Sequence, residues 1–358
     1  MCGHRISRLP RVVDVINVGM VGAGVMGSLH GRNFTSFGDR ARVSRVFDSD
    51  LDKAEALARK LEAEPVGTVD EVLSSPEVNA VAISIPPRSH RETVERALAH
   101  GKHVFLEKPI AITLGDAAAI ATMAHQSSAL VMVGHVLRFW PGYPELRQLA
   151  VSGVYGEPVS VACVRNQPPP SATGWLADVR ETGGIAPLVL IHDFDLMNWI
   201  LGPAKSVQAI PLRGDGISAS HVVVGVSYAN GNGVVEGSVS MPVSHPFSTR
   251  LNVFCENASL HFGYDVEPRA ADDDRDASQF TPASEPVITI YPNDGSAKKV
   301  IGVPGDNPFR PELEYFLDRV ENDLPIENGT PDQALRALAV AVATNTSLTE
   351  HTRVAIDD

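Results

Sequence analysis

A chain of 358 residues, 44% apolar and 20% charged, holds enough material for two cored domains. Its 30 basic and 43 acidic residues give a formal charge of −13, which argues against a nucleic-acid backbone or an anionic membrane as main partner. A small ligand met by a local cationic pocket remains open. Cys2, Cys163 and Cys255 are far apart with no CxxC spacing, so no disulfide framework or metal site is expected.

Arg5, Arg8 and Arg11 precede an apolar stretch that loosely resembles a signal peptide, but Asp14 and Asn17 interrupt it. No run of eighteen apolar residues exists, and the expectation is a cytoplasmic protein with no membrane partner.

The first third alternates in type. "VINVGMVG" (15–22) reads as a strand followed by a helical pattern. "ARVSRVFD" (41–48) is a second strand and "LDKAEALARKLEA" a charged amphipathic helix. "NAVAISIPP" (79–87) is a continuous apolar run of the doubly buried kind, and "RETVERALAHG" a helix closed by Gly101. "KHVFLE" and "ALVMVGH" (129–135) are further strands. Strand–helix alternation at this spacing predicts an α/β fold whose parallel sheet is doubly wound.

After about residue 135 the texture changes. A helix near 141–152 leads to "GEPVSVACVRN", a Pro-rich loop, and the apolar helix "LVLIHDFDLMNWILG". Alternating stretches follow, with a hairpin signal at Asn230-Gly231, then an acidic loop over 266–285 and helices near 309–322 and 331–349. The expected division is a dinucleotide-binding Rossmann domain over 1–135 and an α+β domain with a mainly antiparallel sheet over 136–358.

Gly22, Gly24 and Gly27 form G-x-G-x-x-G directly after the first strand. Such a turn brings a pyrophosphate against backbone amides at a helix N-terminus, so Val25 and Met26 are counted with the cofactor loop. Asp48 ends the second strand at the distance where a carboxylate accepts from ribose hydroxyls and repels a 2′-phosphate. NAD is therefore expected over NADP.

"HVFLEKPI" (103–110) stops abruptly at Glu107, Lys108 and Pro109. In an open parallel sheet, ligands lie outside the carboxyl ends of the strands, where a lysine can donate to a substrate oxygen and shuttle its proton. The plain alternative is an exposed lysine beside an exposed glutamate.

"VGMVGAGVMGSLH", "SIPPRSHRETVERALAHGKHVFLEKPI" and "IHDFDLMNWILG" together resemble the glucose–fructose oxidoreductase/inositol dehydrogenase (Gfo/Idh/MocA) family, nearly end to end, and Glu107-Lys108-Pro109 matches its E-K-P signature. The resemblance implies a Rossmann domain, an open-sheet domain that often mediates oligomerisation, and hydride transfer between NAD(P) and a sugar or polyol carbinol. It implies that Lys108 is catalytic, that Glu107 and Lys108 lie at the cofactor, and that Ile85, Pro86 and His90 line the nicotinamide side.

The helix after Pro187 carries His192 where the family has its catalytic histidine. Helical spacing sets Asp195 one turn away, close enough to orient the imidazole. Four residues before the histidine the family usually has an aspartate; here it is Leu188. Lys108 and His192 then act alone, or Asp195 stands in. Arg138 either faces the cleft and binds substrate or braces the joint between domains. Arg165, with Asn166, and Trp175 are further substrate-site candidates, and Asp193 with Asp272–Asp274 reads as solvated charge rather than a cation site.

The reading is an NAD-dependent dehydrogenase acting on a polyol, sugar or related carbinol, a homo-oligomer. An NAD-retaining glycosidase working by transient oxidation and a non-catalytic NAD-binding sensor are the rivals.

Overall fold

The computed structural model describes residues 15–169, 176, 178–267, 285–304 and 307–357. Its first sheet has six parallel strands in the order β3-β2-β1-β4-β5-β6: β1 Ile16–Val21, β2 Ala41–Phe47, β3 Glu64–Pro65, β4 Ala80–Ile83, β5 His103–Leu106 and β6 Val131–Val133. Helices α1 Val25–Thr35, α2 Leu51–Leu61, α3 Val69–Leu73, α4 His90–Ala99 and α5 Leu114–Gln126 connect them. All four residues of β4 are buried, as a strand covered by helices on both faces requires. In α2, Ala54, Leu57, Ala58 and Leu61 make the buried stripe, and Asp50 caps the helix by accepting from the Lys53 amide.

Helix α6, Tyr143–Ala150, leads into a nine-stranded sheet. Its strands are β7 Pro158–Asn166, β8 Ala204–Arg213, β9 His221–Tyr228, β10 Gly231–Ser238, β11 Phe247–Cys255, β12 Ala258–Val266, β13 Val287–Pro292, β14 Lys299–Gly302 and β15 Val354–Ala355. The order is β14-β13-β12-β11-β7-β10-β9-β8-β15, and every pairing is antiparallel except β7 with β10. Strand β9 alternates half-buried and buried along its whole length, the mark of a sheet with one face on a core. The hairpin forms one residue earlier than its sequence signal: Tyr228 pairs with Gly231, leaving Ala229 and Asn230 as the loop.

Between β7 and β8 the chain forms α7, Val179–Thr182, then a π-helical turn over Ala186–Leu190 and α8, Ile191–Leu201. The chain ends in α9, Arg310–Asn322, and α10, Pro331–Glu350. These two helices return to the first sheet. Leu313, Phe316 and Leu317 of α9 share a core with Met20, Phe34 and Phe105. Ala334 and Leu338 of α10 pack with Val131 and Ile120, while Val340 and Leu348 join the core of the second sheet. A division at 135/136 separates the two sheets but not the helices that cover them.

Candidate active site

Residues 22–27 turn from β1 into α1 under tight steric limits. Gly22 has φ +105°, and a Cβ there would stand 2.3 Å from the Ser84 carbonyl oxygen; one at Gly27 would stand 2.0 Å from the Gly22 carbonyl oxygen. Only glycine fits either place. Gly24 faces open space, and Val25, in the first turn of α1, is 71% exposed. No acid lies in that turn. Amides at an uncovered helix start, with room above the middle glycine, fit a pyrophosphate. Asp48 closes over the turn, its Oδ2 accepting from the Ala23 amide at 2.7 Å and its Oδ1 from the Asp50 amide at 2.9 Å.

Strand β5 ends at Leu106 and leads directly into Glu107 and Lys108, and the Lys108–Pro109 peptide is cis. Glu107 is 7% exposed, and both its oxygens are engaged: Oε1 lies 2.5 Å from His30 Nε2, and Oε2 accepts from the Lys108 amide at 3.0 Å. Burial works against its charge, but His30 and Lys108 outweigh it and hold the carboxyl below the usual carboxylate range. Glu107, expected at the cofactor, ties α1 to β5 and also lines the cavity described below. Lys108 Nζ donates to the Leu188 carbonyl at 3.0 Å. Burial, helped by the charge of Arg165 and opposed by Glu107, lowers its pKa from the ordinary lysine value.

The Lys108 contact gives the departure at Leu188 a physical content. Where the resemblance leads one to expect a carboxylate, this chain offers a backbone carbonyl from a π-helical turn, a geometry that frequently marks functional sites. His192 follows in α8, half-buried, its Nδ1 without a hydrogen-bond partner among the described residues. Burial and the positive charges of Lys108, Arg165 and His135 push its pKa well below the usual histidine value, so the ring is neutral near pH 7.

Asp195 does not orient His192. It is 1% exposed and accepts two hydrogen bonds from Arg138, Nε to Oδ2 at 2.8 Å and Nη2 to Oδ1 at 2.7 Å. Asp195 and His192 both lie within α8, so the one-turn spacing holds, but Arg138 takes up both oxygens of the carboxylate. Arg138, itself 4% exposed and stacked over Trp199 at 5.0 Å, braces the joint rather than facing the cleft. Asp193, read as solvated, is buried and accepts from Arg165 Nε at 2.6 Å and Nη2 at 3.1 Å. Burial opposes the Arg165 charge, but Asp193 outweighs it and raises the pKa.

His90 also departs from expectation. It is fully buried, its Nε2 2.9 Å from the Ile85 carbonyl and its Nδ1 3.2 Å from the Ile110 carbonyl, so it pins two backbone segments beneath the site. Ile85 and Pro86 stay half-exposed at the end of β4.

A cavity of about 410 Å3 brings the parts together. Met26 of the glycine turn, Glu107, Lys108, Leu188 and His192 line one side. Trp140, Arg165, Gln167, Phe247, Tyr264, Phe309 and Glu312 are among the other lining residues. Trp140 and Tyr264 stack with ring centres 5.6 Å apart. Trp175 and Asp272–Asp274 lie outside the described residues.

His30, Gln167, Tyr264, Phe309 and Glu312 escaped the sequence reading. His30 had one usable signal, a polar ring on the buried face of the glycine-turn helix. Glu312 looks like an ordinary acid in a helix first turn, and the wall residues of the second sheet look like any alternating strand.

The parallel sheet, the glycine turn and the acid following β2 are the marks of an NAD(P)-binding Rossmann protein, here joined to a second, mixed sheet. Residues 16–135 match the Gfo/Idh/MocA oxidoreductase family, NAD-binding Rossmann fold, and residues 143–261 match the Gfo/Idh/MocA C-terminal domain. The chain belongs to this family.

Inositol 2-dehydrogenase of Ralstonia nicotianae is 32% identical over 212 residues, 58% of this chain and 61% of the relative. Inositol 2-dehydrogenase of Rhizobium meliloti is 26% identical over 347 residues, 95% and 99% of the two chains. Several of the curated relatives are matched over only 50–61% of their own length. A putative NADPH-dependent oxidoreductase from Desulfitobacterium hafniense superposes with a TM-score of 0.80 at 18% identity, covering 96% of this chain and 98% of that one, and so shows the shared fold. No helix among the described residues is long and apolar enough to cross a membrane.

Proposed function

We propose that this chain is an NAD-dependent oxidoreductase moving a hydride between the nicotinamide and a carbinol of a polyol, sugar or sugar derivative. One observation carries the reading: Lys108 and His192 line the same cavity as Met26 of the glycine turn. A bound nicotinamide supplies the hydride acceptor. Lys108 binds the reacting oxygen and takes its proton, and the Leu188 carbonyl holds the ammonium in place. Neutral His192 hydrogen-bonds the same or the adjacent oxygen and is a poor proton store. Such general-base assistance is worth about 10²–10⁴-fold in rate.

Arg165 and Gln167, at the mouth of the second sheet, are the substrate-recognition residues. Asp48 favours NAD over NADP, because a 2′-phosphate would bring negative charge against its carboxylate. Residues 1–135 form the nucleotide domain and 136–358 the substrate domain, with α9 and α10 clasping both. Exposed apolar side chains on the second sheet, among them Val159, Ile210, Leu212, Val234 and Phe254, fit burial in a homo-oligomer.

The test is a panel of polyols, aldoses and sugar acids with NAD and NADP, followed at the absorbance of the reduced cofactor. Lys108→Met should abolish turnover on any substrate found while NADH still binds. Persistent turnover would remove Lys108 from the mechanism.

A further inference from the structure

One buried side chain in the cavity has been given no task. Glu312, in the first turn of α9, is 1% exposed, and its Oε1 has no hydrogen-bond partner among the described residues. It lines the same cavity as Lys108 and His192. A glycine leaves it room: a Cβ on Gly134 would stand 3.6 Å from Glu312 Oε1 and 3.2 Å from the Phe105 ring. Glu312 therefore lies at the end of β6, one strand beyond the one carrying Lys108.

An acid in a helix first turn ordinarily gains from the helix dipole while it stays in water. This one is out of water. Burial, with the Glu107 carboxylate adding to it, pushes the Glu312 carboxyl well above the usual range, while Glu107 is held ionised by His30 and Lys108. Two neighbouring carboxyls whose pKa values are pushed in opposite directions have different tasks open to them. A neutral carboxyl offers an O–H donor and a carbonyl acceptor side by side. Its complement presents an acceptor and a donor equally close, as a primary carboxamide does.

Strand order indicates where such a group arrives. Asp48 ends β2 and the glycine turn ends β1, so a dinucleotide bound as proposed runs over β4 toward β5 and β6. From β2 to β5 is three strand spacings, about 14 Å. At the far end of that ligand is the nicotinamide carboxamide. We infer that Glu312 receives this carboxamide, donating one hydrogen bond to its oxygen and accepting one from its nitrogen. The inference rests on the cavity being the dinucleotide site.

Calorimetric titration of NADH and of ADP-ribose, which lacks the nicotinamide, tests it on the wild type, Glu312→Gln and Glu312→Leu. Leucine should weaken NADH at least about tenfold and leave ADP-ribose unchanged, since two hydrogen bonds are lost at one end of the ligand. Glutamine, which keeps a donor and an acceptor, should stay within about threefold of wild type. Thermal unfolding of the leucine variant should be unchanged or shifted upward, because the substitution removes an unpaired buried polar group. Equal loss of both ligands, no loss of either, or a glutamine variant as weak as leucine overturns the assignment. A wild type that binds neither nucleotide overturns the parent reading as well; a wild type that binds both, with leucine unaffected, overturns only this one.

Discussion

His30 Nε2 lies 2.5 Å from Glu107 Oε1, and neither side chain is more than 9% exposed. The contact joins the helix that begins at the glycine turn to the strand that leads into Lys108. Removing one partner of a buried pair typically costs about 3–5 kcal/mol. Glu107→Gln should therefore lower unfolding free energy in urea at neutral pH. The Glu107 pKa is lowered in the fold, so its contribution is present above the unfolded value and lost as pH falls through the folded one. The gap between wild type and Glu107→Gln should narrow on acidification; a gap constant down to pH 3 would mean that the carboxylate charge contributes nothing.

Leu188→Asp tests the Lys108 site from the opposite direction. Lys108 Nζ already donates to the residue 188 carbonyl, and a carboxylate beside it would favour the ammonium. With Lys108 taking the substrate proton as proposed, the pH limb at which carbinol oxidation becomes active should move upward in this variant, by about one to three units. An unmoved limb in a folded variant would assign the proton transfer to another group.

The sequence made some parts of this site readable because they depend on backbone constraints. Gly22 and Gly27 admit no side chain, so the turn shows in the glycines themselves, and β4 shows as an unbroken apolar run. Asp195 misled because spacing within α8 sets it one turn from His192 but gives no sign of Arg138, which takes both its oxygens. Asp193 misled for a related reason: a charge on an apolar helix gives no sign of its partner when that partner lies 28 residues away, and the two readings of Arg138 stayed open in the sequence because its partner lies 57 residues away. Glu312 illustrates the limit, since its environment is made by Gly134 and Glu107 on other elements.

For Asp195 the expected phenotype is structural. Asp195→Asn leaves the buried Arg138 guanidinium without its counter-charge, at a cost of about 3–5 kcal/mol in unfolding free energy. Turnover measured well below the unfolding temperature should change by no more than about threefold, because Asp195 touches neither Lys108 nor His192. A variant of normal stability with turnover down a hundredfold would restore Asp195 to the chemistry.

The two later glycines of the turn should separate folding from binding. A methyl at residue 27 meets the Gly22 carbonyl oxygen at 2.0 Å, so Gly27→Ala must displace helix or turn and should lower the melting temperature. At residue 24 nothing lies within 4 Å of the added carbon. Gly24→Ala should therefore melt like the wild type, or slightly higher, since alanine restricts the unfolded chain at a position that is not left-handed. Its methyl instead enters the space through which a pyrophosphate approaches the amides, and NADH affinity should fall at least about tenfold. Calorimetry on Gly24→Ala is the sharper experiment of the two: unchanged NADH binding in a normally folded protein would place the phosphates somewhere other than this turn, and the roles argued for Lys108 and Glu312 would fall with them.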